Sequence, residues 1–339
     1  MTITNGTHAL TGKSQPHSSA ASTSKFLKTS ASVQILGCDF SGGQGKAGVD
    51  QGPSQLIQAG LQKQIAQLGW NVGYEGNERY ERIVQEFAGK DADIGQMKNP
   101  RTVNAVARSV ADRVEAISKA GDLPLTLGGD HSLGLGTVTG TLRSHPSAGV
   151  IWVDAHADIN TPLTTDSGNL HGCPVSFLMG LEGCDVAPFN EWVQPLLKPE
   201  GIVYIGLRDI DVEERKILKE NNIKCFSMHH VDKYGIGRVV DMALDHLNGN
   251  SGRRDRPIHL SFDVDGLDPS VAPSTGTPVR GGLTFREGHY ICETLHETGC
   301  LVAVDIMEVN PSLMEQRDAE ATVAVGCSLA RSALGETLL

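Results

Sequence analysis

The chain has 339 residues, with 29 Lys and Arg against 40 Asp and Glu, a formal net charge of −11. That length admits two ordinary domains of roughly 100–200 residues or one large α/β domain, and it can bury a sizeable core without disulfide help. Hydrophobic residues at 39% and charged residues at 20% make a globular balance, the acidic excess argues against a nucleic-acid or anionic-membrane surface, and no stretch approaches the roughly 18 uninterrupted apolar residues of a membrane span.

Residues 1–30 are rich in Ser and Thr, contain no acid, and carry only Lys13, Lys25 and Lys28 as fixed charges. They lack the apolar run of a secretory signal and the Arg of a mitochondrial transit peptide. The expectation is a disordered tail over 1–30 ahead of one catalytic domain over 31–339, with mitochondrial targeting as a minor alternative. From there short β-rich apolar runs alternate with amphipathic stretches. The runs predict strands over 33–38, 70–74, 123–127, 148–153, 202–205, 223–226, 258–262 and 301–306. Helical patterns fall between them, over 53–68, 102–119, 212–220, 235–247 and 286–297. Pro53 suits a first helical turn, and Asp211 could cap the helix that follows it. Alternating strands and helices imply parallel pairing, and runs apolar on both faces imply helices on both sides of the sheet. The fold class is α/β, a single domain with an eight-stranded parallel sheet.

Two glycine-rich stretches are read as turns. SGGQGKAG (41–48) has Phe40 and Ala47 where a phosphate loop needs Gly and Ser or Thr, and GLGTVTG (134–140) has the wrong spacing for a dinucleotide fingerprint. The first could line a pocket. No G-x-S-x-G elbow supports a serine hydrolase. The seven cysteines form no C-x-x-C pair, which reads as reduced, mostly buried thiols in an intracellular protein.

Chemistry concentrates in three segments that follow apolar β runs: LGGDHS (127–132), WVDAHAD (152–158) and FDVDG (262–266). In open parallel sheets ligands bind beyond the carboxyl ends of strands. Asp263 and Asp265, two apart on a strand, would share a face roughly 6–7 Å apart, and buried carboxylates so placed repel unless a cation lies between them. Asp154, His156 and Asp158 would share a face too, but the outer two could meet one centre only if the chain curls after Asp154. With His131 the set is four carboxylates and two imidazoles, which suits two divalent cations. Mostly oxygen donors with some imidazole favour a six-coordinate ion, manganese first. Paired ions can ionise a shared water near neutral pH.

GGDHS, VDAHADINTPLTTDSGNLHG, SFDVDGLDP, the STGTP loop and DIMEVNP resemble the ureohydrolase family, and within it the arginases, in family order from about Val33 to Glu336. The resemblance implies a three-layer α/β/α domain with two Mn(2+) per subunit. His131, Asp154, Asp158 and Asp263 would hold one ion, and Asp154, His156, Asp263 and Asp265 the other. It implies a metal-bridging hydroxide that attacks the guanidinium carbon of L-arginine to give L-ornithine and urea, a step of arginine metabolism and the urea cycle. Glu308 would orient the guanidinium, Asp158 would assist proton transfer, and His171 would shuttle protons. Asn160, Ser167 and Asn169 would bind the substrate α-carboxylate, Asp211 and Glu214 its α-ammonium, and Thr277 would lie beside the guanidinium. The family implies a homo-oligomer, a homotrimer first, and Arg286 with Glu287 matches an interface pair. A cytoplasmic location is expected. The alternatives are a sibling enzyme such as agmatinase, disfavoured by SGNLHG with Asp211, and a metal-free regulatory binding protein, whose mark would be lost ligands.

Overall fold

The computed structural model describes residues 24–29, 31–249 and 253–337. Eight strands form one sheet: β1 (Ser32–Asp39), β2 (Asn71–Arg79), β3 (Leu123–Leu127), β4 (Gly149–Val153), β5 (Ile202–Leu207), β6 (Lys224–Ser227), β7 (Ile258–Asp263) and β8 (Leu301–Met307). Every pairing is parallel, in the order β2-β1-β3-β8-β7-β4-β5-β6. The central strands are buried along their whole length. Alternate residues feed opposite layers: Ile151 and Val153 join one apolar core, and Val150 and Trp152 the other.

The helices are α1 (Gly52–Gln58), α2 (Leu61–Gln67), α3 (Glu81–Phe87), α4 (Pro100–Ala120), α5 (Gly134–Ser144), α6 (Pro174–Met179), α7 (Val212–Glu220), α8 (Met228–Tyr234), α9 (Ile236–Leu247), α10 (Phe285–Glu297) and α11 (Gln316–Ala333). Pro53 stands in the first turn of α1, and Asp211 caps α7 in a reciprocal box with Glu214. Among the described residues no helix is long and apolar enough to cross a membrane.

Two expectations are corrected. The helix expected over 53–68 is two helices, because Gly60 takes φ 90° and turns the chain between α1 and α2. Residues 134–140, expected as a turn, are the start of α5. Their glycines serve packing: a Cβ on Gly136 would lie 2.4 Å from the Ala107 carbonyl oxygen, and one on Gly140 2.6 Å from that of Ala111. Glycine costs helix propensity of about 1 kcal/mol, and here it lets α5 lie directly against α4.

Residues 1–23 and 30 of the expected tail lie outside the described residues. The stretch 24–29 is held to the domain: Lys25 N donates to the Gly299 carbonyl at 2.8 Å and Lys28 N to that of Gly121 at 3.1 Å, and Phe26 and Leu27 pack against the core.

Candidate active site

The strands β3, β8, β7 and β4 are consecutive in the sheet, so their carboxyl ends lie side by side and deliver His131, Glu308, Asp263 and Asp154 to one spot. The same local device ends three of them. Asp130 accepts from Ser132 N at 3.0 Å, Asp154 from His156 N at 2.6 Å, and Asp263 from Asp265 N at 2.7 Å. Each bond turns the chain as it leaves the sheet, which is the habit of a short Asp side chain beside free backbone N–H groups. The expectation that Asp263 and Asp265 share one face of a strand is therefore corrected. Asp263 ends β7, and Asp265 is brought back by a 3-10 turn, Val264–Gly266. The curl expected after Asp154 is present, and Asp158 lies in the left-handed region at φ 50°. Glu308 does the same at φ 64°. Such backbone costs of order 1–3 kcal/mol per residue and is typical of functional positions.

All six expected donors converge. Nδ1 of His131 faces carboxylate oxygens of Asp154 at 3.2 Å, Asp158 at 3.3 Å and Asp263 at 3.2 Å. Nδ1 of His156 lies 3.3 Å from the other oxygen of Asp154 and 3.1 Å from Asp265. Asp154 thus turns one oxygen to each imidazole, as a bridging carboxylate does. Two overlapping donor groups result, His131 with Asp154 and Asp263, and Asp154 with His156 and Asp265.

The far side of the His131 ring tests whether this set fits a cation. Ser261 Oγ donates to Asp305 at 3.2 Å and lies 2.9 Å from His131 Nε2, so Nε2 carries the proton that Ser261 accepts. Nδ1 is then the ring atom turned to three carboxylates, and a cation between them would let a neutral ring offer its lone pair there. Trp152 completes the setting. It stacks on His131 at 4.1 Å and donates from Nε1 to Asp154 at 3.0 Å.

The electrostatics carry the same message. Burial pushes the carboxyl groups of Asp158, Asp263 and Asp265 up, and neighbouring carboxylates add to it. Burial acts on Asp154 too, but the His131 and His156 rings outweigh it and hold Asp154 low. Both imidazoles are pulled up by the acids around them, against the effect of burial. Four carboxylates in a dry site carry more negative charge than two imidazoles balance.

Glu308 stands beside this cluster, 1% exposed. Its Oε1 accepts from His131 N at 2.9 Å and lies 3.5 Å from His171 Nδ1. Burial pushes its carboxyl up, and the His171 ring, the His131 N–H and the Gln44 amide together bring it below the ordinary range. Its partner His171 is raised, since Glu308 outweighs the desolvation of the ring.

A cleft of about 260 Å³ opens over the cluster, lined by His156, Asp158, Asp263 and Asp265 at its floor and by Asn160, Ser167, Asn169, His171, Asp211, Glu214 and Thr277 around it. All the expected binding residues thus reach one cleft, with unequal freedom. Thr277 Oγ1 donates to Asp265 at 3.0 Å. Asn160 Nδ2 donates to Asp211 at 2.7 Å, and its Oδ1 accepts from Thr164. Glu214 accepts from Ile159 N at 3.1 Å with one oxygen and from Asp211 N at 3.2 Å with the other. It stands behind Asp211 as a brace, and burial raises its carboxyl to about 7. Ser167 and Asn169 lie on the open rim, where Ser167 Oγ accepts from Asn169 N at 3.2 Å. Arg286 and Glu287 lie elsewhere: Arg286 pairs with Glu293 at 2.8 and 2.9 Å, and Glu287 closes the capping box of α10 with Thr284.

Sequence reasoning missed Gln44, Ser261, Asp305 and Asp130. Ser261, two residues before Asp263 on β7, could have been found, because alternate strand residues share a face. Gln44 carries no local signal.

Four buried carboxylates with one buried and one half-buried imidazole, at the carboxyl ends of adjacent parallel strands under a polar cleft, form the donor set of a paired-metal hydrolase. The arginase-family profile matches residues 31–335. The chain is 63% identical over 320 residues to the arginase of Glaciozyma antarctica, covering 94% of this chain and 91% of that protein. Among solved structures it resembles a cold-adapted arginase of the same yeast with TM-score 0.74 at 56% identity, over 94% of this chain and 99% of that one. It also resembles the Entamoeba histolytica arginase in complex with L-ornithine, with TM-score 0.78 at 30% identity, over 90% and 98%. The chain belongs to the arginase family and is a hydrolase of that family.

Proposed function

We propose that the protein hydrolyses L-arginine to L-ornithine and urea with two manganese ions per subunit. The observation that carries this reading is the convergence of the six donors beside Glu308, beneath a cleft whose floor is His156, Asp158, Asp263 and Asp265. His131, Asp154, Asp158 and Asp263 would hold one ion, and Asp154, His156, Asp263 and Asp265 the other. An oxygen-rich set with two imidazoles favours manganese over zinc. When bound, the pair supplies a water ionised near neutral pH.

The chain's own residues do the rest. A guanidinium is a poor electrophile, planar, cationic and resonance-stabilised, so it must be oriented. Glu308 meets its N–H groups with a carboxylate. Asp158 sits among the metal-facing oxygens, one of its own 3.3 Å from His131 Nδ1, where it can take a proton from the nucleophile and pass it to the departing amine. His171, next to Glu308 and on the wall of the cleft, can exchange that proton with solvent. Asn160, Ser167 and Asn169 offer hydroxyl and amide groups to the α-carboxylate, while Asp211, braced by Glu214, faces the α-ammonium.

The test is urea release from L-arginine by metal-stripped protein with and without added manganese, together with kcat/KM for arginine against agmatine. Manganese-dependent urea release with arginine preferred is the expected result; a preference for agmatine would move the protein to the sibling activity. The seven cysteines are all free, which supports a reducing compartment such as the cytoplasm. A homotrimer is proposed on family grounds, and sedimentation of the purified protein checks it.

A further inference from the structure

The hydrogen bonds of the site continue behind the metal donors. From His131 a row of buried polar side chains runs back between the sheet and α5. β7 and β8 pair with Ser261 beside Asp305, and His259, two residues before Ser261, shares its face of β7. All of these side chains are buried, as are Thr137 and Thr141 of α5. Their meeting point is Oδ2 of Asp305. Thr137 Oγ1 donates to it at 2.6 Å and Ser261 Oγ at 3.2 Å, and His259 Nε2 lies 2.7 Å away. His259 Nδ1 is in turn 2.9 Å from Thr141 Oγ1. Among the described residues Oδ1 of Asp305 has no hydrogen-bond partner, so the whole hydrogen bonding of this carboxylate falls on one atom.

A carboxylate only accepts, so His259 Nε2 donates as well, and three donors converge on Oδ2. Thr137 and His259 hold the carboxylate, and the carboxylate holds the hydroxyl of Ser261. That hydroxyl has a single proton. While Asp305 takes it, Ser261 faces His131 Nε2, 2.9 Å away, with lone pairs alone. Nε2–H then has an acceptor, and Nδ1 is the ring atom turned to Asp154, Asp158 and Asp263. Without Asp305 the hydroxyl is free to rotate its proton toward Nε2. That arrangement favours the other tautomer, whose Nδ1–H points where the ion would be held.

We propose that Asp305 is a positioning residue for the metal site: through Ser261 it keeps the His131 proton on Nε2 and so secures the ion that His131 faces. This rests on the two-metal reading and deepens it, since it assigns the retention of one ion to a carboxylate that touches no metal donor. Outer partners of a ligating imidazole fix its tautomer and ring orientation in this way.

The experiment titrates manganese into metal-stripped wild type, D305N, S261A and the S261A/D305N double variant, with free manganese read by electron paramagnetic resonance, and measures KM for L-arginine at saturating manganese. D305N keeps the shape of the side chain. Its amide either turns a nitrogen toward the three donors or meets them with a neutral oxygen, a weaker acceptor than a carboxylate. The expected result is one manganese ion held about tenfold more weakly in D305N, with the other ion and KM for arginine within about twofold of wild type. S261A should lose affinity for the same ion. The double variant should bind no more than about twofold more weakly than S261A, because Asp305 reaches His131 only through Ser261. T137V removes one donor from Oδ2 and leaves the charge; a two- to threefold weakening of the same ion, roughly, absent when Ser261 is already Ala, is expected. It carries the test if D305N fails to fold. Wild-type manganese affinity in D305N, or in T137V where D305N does not fold, overturns the proposal. So do losses that simply multiply in the double variant, which would make Asp305 a distant charge or a support of the sheet. A wild-type protein that binds no manganese instead refutes the metal reading beneath, and this assignment falls with that reading.

Discussion

Asp154, Asp263 and His131 are 1–2% exposed at the ends of central strands, while a few residues away Ser167 and Asn169 stand on an open loop. In the buried group each oxygen or ring nitrogen is fixed by a partner: Asp154 by Trp152 and His156 N, Asp263 by Asp265 N, and His131 by Ser261. On the rim, Ser167 Oγ accepts from Asn169 N, and Gly168 N between them donates to Thr165 Oγ1. The contrast separates two tasks. The floor stores electrostatic charge in a dry setting and cannot lose a member without leaving another unbalanced. The rim offers adaptable polar groups to whatever part of a ligand projects outward.

The sharpest test of this division removes a floor carboxylate. Asp263→Ala should reduce urea release by at least about 10³-fold and lower bound metal, because even partners one shell out from a metal commonly cost 10–100-fold; kinetics with elemental analysis check it, and near-normal turnover would erase the distinction. A rim change should be mild. Asn169→Ala is expected to raise KM for arginine by about three- to tenfold with kcat nearly constant, the pattern of lost ground-state binding. A collapse of kcat would show that the rim takes part in the chemistry.

Glu214, between the two regions, gives the smallest and most specific effect. Burial raises it from 4.5 to about 7, so its contribution to stability is fully present below about pH 4.5 and is lost as pH rises through about 7. Glu214→Gln cannot titrate. In metal-free protein the wild type should lose up to about 3 kcal/mol more than the variant between those limits, read as the difference in their unfolding temperatures across pH. Equal slopes would mean that Glu214 does not carry this proton.

The strands and the metal donors could be read from the sequence because their signals are local. Runs such as GVIWV are apolar on both faces, and the Asp and His residues follow such runs within a few positions. The helix at Gly134–Ser144 could not be read, since Gly136 and Gly140 argue against a helix on propensity, and their justification is the Ala107 and Ala111 backbone of another helix. Gln44 was hidden for a similar reason. Its partner Glu308 lies 264 residues further on, and nothing in a glycine-rich turn signals that distance. The roles expected of Glu214 and Asn160 were blurred by the same limit: sequence spacing put them at the site, but only geometry reveals that Glu214 braces the backbone of Ile159 and Asp211.

The ties of the 24–29 stretch run to Gly121 and Gly299, which precede β3 and β8 and so lie at the amino ends of the strands, away from the catalytic rim. Immobilising the protein through this stretch would leave the mouth of the cleft pointing outward, with substrate and product free to pass.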